Sequence, residues 1–345
     1  MTHFHLLISD WYRQNKRELP WRETQNPYFI WLSEIILQQT RVSQGMNYYL
    51  KFVQNYPLIE NLAEADEQKV LSDWQGLGYY SRARNLHHTA KTVVEKFGGK
   101  FPDNFKDIKS LKGIGDYTAA AIASFAYDLP HAVVDGNVYR VLSRVFDIET
   151  PIDTTEGKKV FEALANDLLS RENPATHNQA IMEFGAVQCV PVNPDCSVCP
   201  LVEDCLAFRN DTVKERPRKI GKIKVRKRYF HFLQFEDPAH VVLEKRTEKD
   251  IWQHLFQFPM IETENAEPLE MMGEQVDKKS GLCHATVSPA IRHILTHQHI
   301  EAHVWRFEGL PDASNWQEQW LLVPKKDLAD FPIPRLLDRY LEQED

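Results

Sequence analysis

Four of the five cysteines of this 345-residue chain crowd into one short stretch, at Cys189, Cys196, Cys199 and Cys205, and no other feature restricts the fold as sharply. Four thiolates in one loop can surround a single metal centre, and their softness selects zinc or an iron–sulfur cluster. Spacing leaves the two open. Tetrathiolate zinc sites pair two short C-x-x-C knuckles, of which only Cys196/Cys199 is present, whereas iron–sulfur loops use more varied spacings. Pro191, Pro194 and Pro200 stiffen the loop, which suits a preformed cage better than a flexible redox motif. A disulfide framework fits poorly with an N-terminus that has no signal-like apolar run. Cys283 stands apart and reads as an ordinary small core residue. No stretch approaches the roughly 20 apolar residues of a membrane span, so the expectation is a soluble, cytoplasmic (or nuclear) protein that does not touch membranes.

The pattern on either side of that loop differs. Up to about residue 210, apolar positions recur at helical spacing, as in Leu62–Trp74, Leu86–Phe97 and Val160–Leu169. Capping signals stand at Asp153-Thr154-Thr155-Glu156 and Asn173-Pro174. Beyond residue 228 the runs Tyr229–Phe235, Val241–Lys245, Ala302–Phe307 and Trp320–Val323 read as short strands. Between the halves, Lys214 to Arg228 carries nine cations against Glu215 alone. That leaves the remainder of a chain of net charge −8 at about −16. Such a block is either a solvated linker or a phosphate-contacting stretch with salt-sensitive affinity. The expected division is a helical region 1–210, a basic linker 211–228 and an α+β domain 229–345.

Within the helical half, Leu111-Lys112-Gly113-Ile114-Gly115-Asp116 joins two helices. Gly113 and Gly115 permit a tight hairpin with bare backbone, and the helix starting near Asp116 turns its unpaired N–H groups outward, a seat for phosphate. Glycine caps on an ordinary helical turn would look the same. Downstream, Asp135 sits where an N-cap belongs, ahead of the next helix. One of its oxygens can cap while the other faces a ligand. Glu34 lies on YFIWLSEIILQQT, apolar around most of its circumference. Burial there raises a carboxyl's pKa and makes it a general acid near neutrality; the alternative is a solvent-facing helix edge.

Taken in order, WLSEIILQQTRV, GLGYYSRARNL, LKGIGDYTAAAI, VVDGNVYRVLSR and the four-cysteine loop resemble the MutY adenine DNA glycosylases of the helix–hairpin–helix superfamily, from about Trp11 to Cys205. The resemblance implies a mainly α N-terminal half, a six-helix barrel beside a helical domain holding a 4Fe-4S cluster on Cys189, Cys196, Cys199 and Cys205, with the cluster shaping a DNA-contacting loop. It implies that Glu34 protonates N7 of a flipped adenine and that Asp135 stabilises the sugar cation, with Asn137 and Tyr117 in support. Gln39 and Tyr79 would fill or wedge the duplex with Thr40 beside them, Arg17 and Arg22 would line the adenine approach, and the Gly113–Gly115 hairpin would hold the DNA backbone. Related endonuclease III-type enzymes carry a lysine where Tyr117 stands. A phenol cannot form an imine, so little lyase activity is expected. The substrate would be double-stranded DNA with A:8-oxoguanine or A:G mispairs, bound by a monomer.

The last third resembles the family's Nudix-like domain, an α+β fold that reads 8-oxoguanine. Trp252 and Phe258-Pro259 fit its pattern, but Gln253 and His254 replace its glycines. Leu295-Thr296-His297 stands where the family has a Phe-Ser-His loop, so Thr296 and His297 become lesion-reading candidates. His293, His297 and His299 could equally be plain surface residues. The acidic signature of a nucleotide pyrophosphohydrolase is absent, so no such activity is expected. Two other readings compete: a glycosylase for another base, and a non-catalytic iron–sulfur DNA-binding protein.

Overall fold

The computed structural model describes residues 2–221, 224–267, 269–280, 282 and 286–343. Cys283 and Lys222 lie outside them. The chain forms two compact units, one of residues 1–64 and 88–221, the other of 65–87 and 222–345. Both are discontinuous, because residues 65–87 group with the C-terminal part. The 17-residue helix Ser81–Phe97 is shared between the units at His87/His88.

The first unit is helical among its described residues. Its centre is the helix Pro174–Val187, packed against Thr2–Asn15, Gly136–Val145 and Asp116–Tyr127. The Asp116–Tyr127 helix packs in turn on Pro27–Leu37. Ile8, Trp11, Val141, Leu142, Phe161, Ile181 and Phe184 form the main core, and Ala120, Ala121 and Val133 a second one. The alanines explain the close approach, because a small side chain lets two helix backbones draw together. Gly185 takes this furthest: a Cβ there would lie 2.7 Å from the Cβ and 2.9 Å from the carbonyl oxygen of Asn137.

Helix boundaries follow local chemistry. Leu62–Trp74 is not one helix but two, Ile59–Glu64 and Glu67–Asp73, because Asp66 accepts from the Gln68 N–H and starts a new one. Thr154 caps Thr155–Leu168 through the Gly157 N–H. Asn173 precedes its helix without a side-chain cap.

Among its described residues the second unit is built on eight strands: β1 (Arg226–Glu236), β2 (His240–Lys245), β3 (Phe256–Gln257), β4 (Met260–Thr263), β5 (Thr286–Val287), β6 (Ile291–Ile294), β7 (Gln298–Glu308) and β8 (Trp320–Pro324). One sheet runs β4-β1-β7-β5 with β6 also on β7, the other β3-β2-β8. The long strands β1 and β7 pair in parallel from Arg226↔Gln298 to Glu236↔Glu308. A parallel pair is normally covered on both faces, and β1 is buried almost without interruption from Arg228 onward. Leu233, Phe235, Val242, Met272, Val276, Trp305, Phe307 and Trp320 make the core.

Two of the arginines in the basic stretch are buried, whereas Lys214, Arg218, Lys219, Lys224, Arg226 and Lys227 are exposed. Arg216, with 1% of its side chain exposed, pairs with Asp147 at 2.8 Å and Glu149 at 3.1 Å. Arg228, with 4% exposed, pairs with Asp250 at 2.7 Å and Glu262 at 2.6 Å. Arg218 bonds Glu149 and Glu215. Arg216 and Arg228 are thus taken up by carboxylates of their own units, and only the exposed cations of the stretch remain for either reading.

Candidate active site

Four helices of the first unit each deliver a polar group to one cleft of about 1040 Å³. Pro27–Leu37 carries Glu34, Asp116–Tyr127 carries Tyr117, the start of Gly136–Val145 carries Asp135 and Asn137, and Pro174–Val187 carries Glu183. Arg17, Arg22, Gln39, Thr40 and Arg140 line the same cleft.

Glu34 is 8% exposed, so the solvent-facing alternative does not hold. Burial, reinforced by the Asp135 charge, pushes its carboxyl up to about 7, while a hydrogen bond from Tyr117 and the charge of Arg22 pull the other way. The Tyr117 phenol is driven well above its ordinary value by burial and by the two carboxyls, so it stays a donor.

Asp135 is the N-cap of its helix. Its Oδ1 accepts from the N–H groups of Asn137 and Val138, both at 2.8 Å. Its Oδ2 accepts from Asn137 Nδ2 at 2.7 Å. Burial raises its pKa, and the Val138 and Asn137 bonds and the Arg140 charge oppose that rise. Each opposing contact favours the anion. The cleft therefore holds two carboxyls of unlike environment: one among apolar side chains with a single phenol donor, the other gripped by donors.

Glu183 has no single-motif signature in the sequence and is the residue that a linear reading misses. Its side chain is fully buried. Arg17 binds it bidentately at 2.7 Å through Nε and Nη2, and Arg22 Nη2 adds a third bond at 2.7 Å. Burial pushes the carboxyl up, but these bonds outweigh it and hold it at about 2. The signal was present: AIMEFGAV is as apolar around its glutamate as the helix that carries Glu34.

Behind Asp135 a chain of hydrogen bonds runs to the four-cysteine loop. Arg140 Nη2 donates to Asn137 Oδ1 at 2.9 Å and to the Gly185 carbonyl at 2.5 Å, and its Nε donates to the Cys189 carbonyl at 2.7 Å. One turn on, Arg144 reaches Cys189 Sγ at 3.3 Å and the Val190 carbonyl at 2.8 Å. Cys189, Cys196, Cys199 and Cys205 all line one small cavity. Among the described residues, no three metal-binding side chains converge closely enough to share a single ion. Burial, with the neighbouring cysteines adding to it, pushes Cys199 up to about 11 and holds Cys196 and Cys205 above the ordinary thiol value. Four thiolates can coexist there only against strong positive charge. The donor set is one that a soft, cationic group would fit.

The remaining candidates stand elsewhere. Gly113 turns the hairpin at φ 81°, and around Gly115, an N-cap with no side chain, there is open space. Gln39 and Tyr79 both adopt left-handed backbone, at φ 55° and 48°. In the second unit the Tyr79 hydroxyl lies 2.8 Å from Thr296 Oγ1. Thr296, His297 and His299 are exposed. His293 is half-buried, edge-on to Trp252 at 5.6 Å, and is not a plain surface residue.

Residues 32–167 match the family model of the HhH-GPD superfamily base excision DNA repair proteins, and residues 230–343 match that of the NUDIX domain. An adenine DNA glycosylase of Buchnera aphidicola (subsp. Schizaphis graminum) is 33% identical over 346 residues, covering 98% of each chain. The human adenine DNA glycosylase is 42% identical over 216 residues, 60% of this chain and 40% of that one. Among solved structures, a thermostable thymine-DNA glycosylase superposes with a TM-score of 0.57 at 30% identity, over 61% of this chain and 96% of its own. No helix among the described residues is long and apolar enough to cross a membrane. The chain belongs to the MutY family of adenine DNA glycosylases in the HhH-GPD superfamily, base excision repair enzymes that hydrolyse N-glycosyl bonds.

Proposed function

We propose that the chain, acting as a monomer on double-stranded DNA, removes adenine paired with 8-oxoguanine or guanine. The observation that supports this most is the pairing in one cleft of a carboxyl raised to about 7 with a second one held by three hydrogen bonds. Adenine is a poor leaving group until N7 is protonated, and breaking C1′–N9 places positive charge on the sugar. Glu34 gives its proton to N7. Asp135 remains an anion beneath the sugar and stabilises the oxocarbenium-like cation. Water then adds at C1′, and its proton returns to Glu34, which restores the starting state. The adenine must leave the stack to reach these groups. Arg17, Arg22 and the fixed anion of Glu183 supply charged hydrogen-bonding groups for its polar edge.

Tyr117 donates to Glu34 and keeps the acid oriented. With no amine at that position, no Schiff base forms and the strand is not cut. Gln39 and Thr40 at the end of their helix, and Tyr79 in its own turn, fill the duplex where the adenine was. The Gly113–Gly115 hairpin takes a phosphate. Thr296 and His297 meet the opposing lesion. Cys189, Cys196, Cys199 and Cys205 would hold a 4Fe-4S cluster, which when bound would supply the positive charge that four half-buried thiolates require.

A panel of duplexes tests the reading. Adenine release opposite 8-oxoguanine should exceed release opposite guanine, and thymine from T:G should stay in place. Glu34→Gln and Asp135→Asn should each abolish release while duplex binding survives. Thymine release without adenine release would reject the proposal.

A further inference from the structure

We propose that the Trp252–His254 turn is a positioning clamp for Tyr79, holding both arms of the hairpin that presents it; the inference rests on the reading of Tyr79 as a residue that enters the duplex. Tyr79 stands in residues 74–80, between the helices Glu67–Asp73 and Ser81–Phe97. The hairpin is braced internally. Trp74 Nε1 donates to the Gly78 carbonyl at 3.0 Å, and the Arg82 guanidinium lies over the Trp74 ring at 5.1 Å and the Tyr79 ring at 5.7 Å.

Its arms are fixed from far along the chain. Arg84, in the first turn of the following helix, donates to the Gln253 carbonyl at 2.5 Å and to Gln253 Oε1 at 3.2 Å. Glu67, the first residue of the preceding helix, shares a 2.7 Å hydrogen bond with His254 Nδ1. Two adjacent residues of one turn thereby grip one residue in each arm. Gln68 and Gln75 add bonds to the Asp330 carbonyl and to Asp338.

The turn itself is held in a costly conformation. Eight described non-glycine residues have positive φ; four are Asp or Asn and one is His254, types that adopt it more readily, and the others are Gln39, Tyr79 and Trp252. Trp252 and His254 sit at φ 59° and 68°. At His254 a glycine would adopt this backbone without strain. It would also offer nothing to Glu67, and a glycine in place of Gln253 would offer nothing to the second bond of Arg84. The surroundings keep the strained form in place: the Trp252 ring is buried against Phe230 at 6.1 Å, and the His254 N–H donates to the Arg246 carbonyl at 2.7 Å. What the two side chains gain in exchange is their hold on the Tyr79 arms.

The test is a double-mutant cycle on the full chain. Affinity is measured for a duplex carrying 2′-fluoro-2′-deoxyadenosine, whose glycosidic bond resists cleavage, opposite 8-oxoguanine. Tyr79→Ala should weaken binding about tenfold, as loss of one aromatic–base stack does. The paired change Gln253→Gly and His254→Gly should weaken it several-fold without lowering the melting temperature, because relief of the left-handed backbone at His254 offsets the side-chain bonds lost. In the Tyr79→Ala background the glycine pair should cost nothing further. Glu67→Ala, which breaks the same grip from the other side, should behave alike. An equal loss in both backgrounds, or none in either, overturns the clamp. Parent-like affinity for Tyr79→Ala instead overturns the reading of Tyr79, and the clamp with it.

Discussion

A carboxyl that functions as an acid near neutrality must be uncomfortable as an anion, and Glu34 carries that cost for the whole fold. Its pKa is near 7 folded against 4.5 for the free residue. Between those values the unfolded chain has lost the proton and the folded chain keeps it, so stability falls as pH rises through the window and stays low above it. The shift corresponds to about 3 kcal/mol at pH 8. Glu34→Gln is therefore expected to raise the melting temperature at pH 8, have little effect at pH 4, and eliminate turnover; thermal unfolding at the two pH values checks it. Glu183 behaves oppositely. Its pKa is depressed to about 2, so its contribution is full above the ordinary carboxylate value and is lost progressively as pH falls from there through about 2. Glu183→Ala leaves two arginines without their partner and is expected to cost roughly 3 kcal/mol, measurable by urea unfolding at pH 7. Glu34 is legible in the sequence because a recognisable run of apolar residues surrounds it. Glu183 has the same local texture, but its meaning depends on Arg17, 166 positions away, and periodicity carries no information about such a partner.

At the scale of elements, the site exists because helices cross closely. Gly185 lets Pro174–Val187 approach Asn137, and an added Cβ would fall 2.7 Å from the Asn137 Cβ. Neither that Cβ nor the backbone behind it can swing away. Gly185→Ala is expected to cost about 1–3 kcal/mol and to lower the catalytic rate more than affinity, since Asn137 holds Asp135; single-turnover rates and duplex binding separate the two. Arg140→Gln should act in the same direction by freeing Asn137 Oδ1. Helix and strand identity was largely readable, from 3.6-residue spacing in the first unit and aromatic, β-branched runs in β1, β2, β7 and β8. The break at Asp66 was not. An unbroken apolar pattern runs across it, and only the cap's hydrogen bond to Gln68 shows that one helix ends and another begins.

For the whole molecule, composition was the least faithful guide. A net charge of −8 argues weakly against DNA, and the basic stretch reverses that locally. Yet two of its arginines, Arg216 and Arg228, are buried and paired with carboxylates, while its other described cations are exposed. Arg228→Met is expected to lower the stability of the second unit by roughly 3–5 kcal/mol and to leave the slope of log affinity against log salt unchanged, which a salt titration of duplex binding reads directly. The grouping of residues 65–87 with the C-terminal strands was equally hidden. Gln68, Gln75 and Arg84 find their partners more than 160 positions later, and nothing in their local sequence announces it.

The central claim is that a protonated Glu34 and an ionised Asp135 act on one nucleoside, and the pH dependence of single-turnover adenine release from an A:8-oxoguanine duplex tests it most directly. The rate should fall above pH of about 7 as Glu34 ionises and fall again in acid as Asp135 gains a proton. Glu34→Gln should drop it by about a thousandfold or more with binding intact. A profile without the alkaline limb, or a Glu34→Gln enzyme within about tenfold of the parent, would contradict the account.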